Sequence, residues 1–133
     1  MNQELNIELN GGKSRKSFLK EVNQQLIDFV GSENKEFILM LAEIVKNIYD
    51  HNGGRGYVNL KKTINGGTRF KIGNVVGQKE AAVLSENHQE GRPVNYGVGL
   101  SGVGIKAIAK ILNIDLIIDI SSGFVYEGMY QLR

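Results

Sequence analysis

Glu43, Asn47 and His51 recur at every fourth residue of LAEIVKNIYDHN, the stretch from Leu41 to Asn52, and Asp50 follows Asn47 by three. Residues three and four apart share a face of an α-helix, so these four side chains form one polar stripe. A carboxylate, a carboxamide and an imidazole on one helix flank can hold a divalent ion and activate a water or a hydroxyl. The plain alternative is a solvated helix face. Ile38, Leu41, Ala42, Val45, Ile48 and Tyr49 recur at helical spacing beside the stripe, so the segment reads as an amphipathic helix under either reading.

A second stretch bears on the same chemistry. Gly97-Val-Gly99-Leu100-Ser-Gly102 matches GxGxxG and runs through Gly104 into a helical pattern over Ile105 to Leu112. Glycines ahead of a helix leave backbone N–H groups open to an anion, and the helix dipole favours a phosphate there. A Rossmann loop must follow a buried parallel strand, whereas Glu86 to Asn95 is polar and contains Pro93. Too little chain follows for the rest of that fold. No Gly-Lys-Ser or Gly-Lys-Thr follows either, which removes a Walker loop.

The elements that must position these groups are legible in order. Asn2 to Asn10 alternates Leu5, Ile7 and Leu9 with polar residues, as a half-buried strand does, and Gly11-Gly12 ends it. Ser14 to Ser17 offer a cap for a helix whose apolar face is Phe18, Val22, Leu26, Phe29 and Val30, with Gly31 as its stop. Ser32 or Asn34 can cap the stripe-bearing helix, which Gly53-Gly54 ends. Tyr57 to Lys62 and Thr68 to Asn74 alternate as strands about an Asn65-Gly66-Gly67 turn. Gln78 to Gln89 suggests a short helix, and Leu116 to Ile120 and Tyr126 to Leu132 read as two closing strands. The order is β-α-α-β-β-(α)-α-β-β. It predicts an α+β two-layer sandwich, a mixed, mostly antiparallel sheet covered on one face by helices, built as a single domain over residues 1–133.

Composition bounds the partners. A chain of 133 residues with a formal net charge of +2 and no block of like charges gives no footprint for nucleic acid. No apolar run approaches a membrane span and the N-terminus has no signal core, so the expected location is the cytoplasm. The chain has no cysteine, which removes disulfides and thiolate chemistry. His51 and His88 without a second His or Cys make no zinc set. An exposed sheet edge would suit a homodimer or a partner strand.

Taken together, the stripe and the glycine loop resemble the ATP-binding (Bergerat) fold of histidine kinases, gyrase B and MutL, the GHKL superfamily. The resemblance runs from about Asn2 to Leu132 in both element and motif order. The family's N box, Glu-x3-Asn followed by Asp/His, matches Glu43, Asn47, Asp50 and His51. Its second glycine box matches Gly97, Gly99, Leu100, Gly102 and Gly104. The resemblance implies Glu43 as general base, Asn47 as the ligand of Mg²⁺ bridging the phosphates of ATP, and the glycine box as the triphosphate cradle. In size the chain is most similar to the stand-alone anti-sigma-factor serine kinases. What this implies is a regulatory ATPase or serine protein kinase in bacterial signalling, with a protein substrate or partner. A member that has lost catalysis and acts as an interaction module is the alternative.

The first glycine box, Asp-x-Gly-x-Gly, is where the sequence departs. Its candidate is Gly73-Asn74-Val75-Val76-Gly77, with Gly73 at the place of the aspartate that accepts from the adenine amine and only Gly77 retained. The Asn74 amide oxygen can accept, although neighbours on a strand point to opposite faces. That leaves the choice of base open, guanine included. Met129 stands near the place of the family's threonine, with Ser121 and Ser122 nearby in sequence.

Overall fold

The computed structural model describes residues 3–10, 14–51, 55–74, 102–119 and 124–131. In chain order these form β1 (Glu4–Leu9), α1 (Arg15–Val30), α2 (Lys35–His51), β2 (Gly56–Lys62), β3 (Gly67–Asn74), α3 (Gly102–Ile111), β4 (Ile117–Asp119) and β5 (Phe124–Gln131). The expected helix over Gln78 to Gln89 lies outside the described residues. The predicted α+β order is otherwise reproduced.

One five-stranded sheet has the order β1-β2-β3-β5-β4, and each of its four described pairings is antiparallel. The period-2 pattern fixes its faces. Ile7, Leu9, Val58, Leu60, Phe70, Ile72 and Tyr126 line one face and are buried with the helices. Glu4, Asn6, Glu8, Lys61, Arg69, Lys71 and Met129 alternate with them and are exposed on the other face. The described helices therefore cover one side, the two-layer arrangement that the patterning predicts.

α2 is the keystone of the helical layer. It packs against α1, α3, β2 and β3, and its Phe37, Met40, Leu41, Ile44 and Val45 are fully buried. α1 contributes Phe18, Val22, Leu26 and Val30 at helical spacing, one turn apart along a single face. Aromatic rings fill the space near the α2 N-terminus: Phe37 stacks on Tyr130 at 4.4 Å and meets Phe70 at 5.9 Å. Gly128 makes this possible, because it lies opposite Phe70 and a Cβ there would come within 2.7 Å of the Phe70 ring.

The caps show local chemistry at work. Ser14 Oγ accepts from the Ser17 N–H at 3.3 Å, as the sequence predicts for the start of α1. Gly31 ends that helix with φ of 101° and donates its N–H to Ile27 at 2.8 Å. Asn34 stands at the N-cap position of α2, its carbonyl accepting from the Ile38 N–H at 3.0 Å, and its side-chain amide nitrogen also donates to the Val30 carbonyl at 3.1 Å, closing α1. α3 ends in a Schellman turn at Asn113, whose φ is 59°, with bonds from Asn113 N–H to Lys110 and from Ile114 N–H to Ala109.

Candidate functional site

α2 presents Glu43 and Asn47 from successive turns, both partly buried. Their positions follow from the helix's amphipathicity. Ile44, Val45 and Ile48 face the core, so the residues beside them lie at its margin, near the sheet and the neighbouring helices. Asn47 reaches the sheet: its carboxamide is hydrogen-bonded to the hydroxyl of Tyr126 on β5. Burial pushes the Tyr126 hydroxyl above the ordinary tyrosine range, and the bond from Asn47 pulls the other way.

Two carboxylates of the stripe are engaged by cations. Lys46 Nζ lies 3.2 Å from both carboxylate oxygens of Glu43. Arg15, the first residue of α1, grips Asp50 through Nε at 2.6 Å and Nη2 at 2.7 Å. Asp50 is nearly enclosed, its side chain 9% exposed against 40% for Arg15. The paired fork geometry is the strong form of this contact. The carboxylate holds the Arg15 guanidinium more firmly charged, through the hydrogen bond first and through its charge as well. Asp50 thus ties the end of α2 to the start of α1.

The remaining expected site residues fall as follows. His51 is the last residue of α2 and Asn74 the last of β3. Gly102 opens α3 and Gly104 lies in its first turn, and α3 packs on α2. The glycine-box helix and the stripe-bearing helix are therefore neighbours. Gly77, Gly97, Gly99 and Leu100 lie outside the described residues.

Strand register assigns a side to Gly73. Gly73 pairs with Tyr57 and Val125, whereas Ile72 pairs with Val58 and Tyr126. Ile72 belongs to the helix-covered face, so Gly73 belongs to the opposite one.

Two contacts of the stripe have no signal in the sequence. Tyr126 was legible only as a strand residue, and its hydroxyl partner depends on tertiary packing. Arg15 lies 35 residues from Asp50, beyond any periodicity. A concavity of about 590 Å³ lies elsewhere, on the outer face among Asn59, Lys61, Arg69, Lys71 and Glu127, and includes no member of the stripe.

Among the described residues no group of three His, Cys, Asp or Glu gathers in metal-binding fashion. Among the described residues no helix is long and apolar enough to cross a membrane. No family model matches the chain, and no curated protein or solved structure matches it either.

Proposed function

We propose that the chain is a histidine kinase-like (GHKL) domain that binds a Mg²⁺-nucleotide between α2 and the glycine run that opens α3. The observation that carries this reading is the packing of α3 on α2, which makes neighbours of the two helices bearing the matched motifs. Asn47 supplies the carboxamide oxygen for Mg²⁺, and Gly102 and Gly104 belong to the segment that meets the phosphates. Mg²⁺ when bound neutralises phosphate charge and aligns the γ-phosphoryl group. Glu43 is placed one turn before Asn47 to accept a proton from water or a protein hydroxyl. Asn74, adjacent to Gly73, supplies an amide oxygen that can accept from the base.

A second reading is favoured by a specific contact. Lys46 sits on both oxygens of Glu43, so the carboxylate expected to act as base is already engaged by a cation. Under that reading the domain binds a nucleotide, or none, and serves as a regulatory module toward a protein partner.

Thermal unfolding with Mg-ATP, Mg-ADP and Mg-GTP tests the proposal. A ligand at a hundred times its dissociation constant stabilises by about 2.7 kcal/mol, several degrees in a domain of this size. The expected outcome is a rise in Tm that Asn47→Ala abolishes. A shift unchanged in Asn47→Ala removes the site proposed here, and the absence of any shift removes nucleotide binding. Turnover that depends on Glu43 would then decide between the enzyme and the module.

A further inference from the structure

We propose that the outer face of the sheet is a docking surface for an acidic segment of a partner protein, held by Lys61, Arg69 and Lys71. This face lies across the sheet from the helices and includes no member of the stripe, so the inference does not depend on nucleotide binding.

Register brings the three cations together. Lys61 stands directly opposite Arg69 across β2 and β3, and Lys71 follows Arg69 by two residues, on the same face. All three are exposed. Like charges directly opposite one another oppose strand pairing, so a sheet with no further use for them would interleave carboxylates. Carboxylates are near and do not take that part. Glu4, in register with Lys61, accepts from the Asn59 amide at 2.8 Å instead. Glu127, in register with Lys71, makes no ion pair with it. Among the described residues none of the three cations has a hydrogen bond or an ion pair.

The cations border the concavity of about 590 Å³, whose wall also holds Ile117 and Met129. Those two side chains are 57% and 47% exposed and share the outer face with the cations. The cations stand on β2 and β3, the apolar pair on β4 and β5. A segment that carries carboxylates followed by aliphatic side chains therefore meets charge at one end of the surface and methyl groups at the other. A nucleic acid strand fits less well. Glu4 and Glu127 bound the cations on either side and repel a continuous phosphate backbone. Among the described residues the face also offers no row of rings on which bases could stack.

The test is fluorescence anisotropy of a labelled peptide, a run of glutamates followed by alternating leucine and serine, titrated with the full chain. Binding should weaken as salt is added. The combined variant Lys61→Gln, Arg69→Gln, Lys71→Gln should weaken it about tenfold, the sum of three exposed charge contacts. A matched variant, Lys16→Gln, Lys20→Gln, Lys35→Gln, removes the same charge from exposed places on the helical layer and should change it less than about twofold. Equal losses in the two variants overturn the proposal, since they mark attraction by net charge and not by this face. No binding of the peptide overturns it as well. Displacement of the peptide by a lower concentration of oligothymidylate or of tripolyphosphate also overturns it, and assigns the face to nucleic acid or to a small oxyanion. Thermal unfolding supplies the structural control. The variant neutralised on the outer face should melt no earlier than wild type, because it relieves the repulsion between Lys61 and Arg69. A lower Tm would mark the three cations as structural and refute the docking role.

Discussion

Asp50 shows how one residue's role is decided by what it touches. Spacing alone places it beside Asn47 in a metal-binding stripe, yet the structure gives both its oxygens to Arg15. With Arg15 partly open to solvent, the pair's contribution is closer to that of a good surface bridge than to that of a buried one, about 1 kcal/mol. A double-mutant cycle with Arg15→Met and Asp50→Asn, followed by urea unfolding, should return a coupling of about that size, reduced at high salt. A coupling indistinguishable from zero at low salt would mean the fork is held by the packing and contributes nothing itself. The helical spacing of Glu43, Asn47 and Asp50 was legible because periodicity is local. Their partners were not, since Lys46 alone lies within helical reach, while Arg15 and Tyr126 arrive from other elements.

At the scale of elements, alternation and caps carried most of the information. The strands begin and end within a few residues of where Leu5, Val58, Phe70 and Ile118 alternate with polar neighbours, because a half-buried strand must show that pattern. Strand order was not legible, since a β5 inserted between β3 and β4 is chosen by the packing of the whole sheet. Nor was the demand for Gly128. In the sequence it is one of 17 glycines, whereas in the structure it is the place where Phe70 turns its ring over β5. A Cβ at 128 also meets Ile114 at 3.0 Å, so the ring is confined from two sides. Gly128→Ala should therefore cost about 1–3 kcal/mol by overpacking, despite alanine's better strand entropy. Chemical denaturation measures it. A neutral or stabilising result would show that Phe70 can swing away from Phe37 without loss.

At the scale of the molecule, one helix serves both stability and the candidate site. α2 packs against two helices and two strands, and the same seventeen residues carry Glu43 and Asn47. Core and site are therefore linked through a rigid body and should not unfold in separate steps. Ile44 tests this, being fully buried on the turn that presents Glu43 and making no polar contact of its own. Truncation to alanine removes three carbons from a closed interior and should cost about 3 kcal/mol, lowering Tm by roughly 10 °C. Against a total stability of roughly 5–15 kcal/mol this is a large fraction, so the variant should still fold but near its limit. Far-UV circular dichroism and tyrosine fluorescence should move together in urea, with an unchanged slope, because α2 holds the sheet and α1 in one cooperative unit. If the two signals separate, α1 melts on its own, and the Arg15–Asp50 clamp at the end of α2 is too weak to bind the helical layer into one unit.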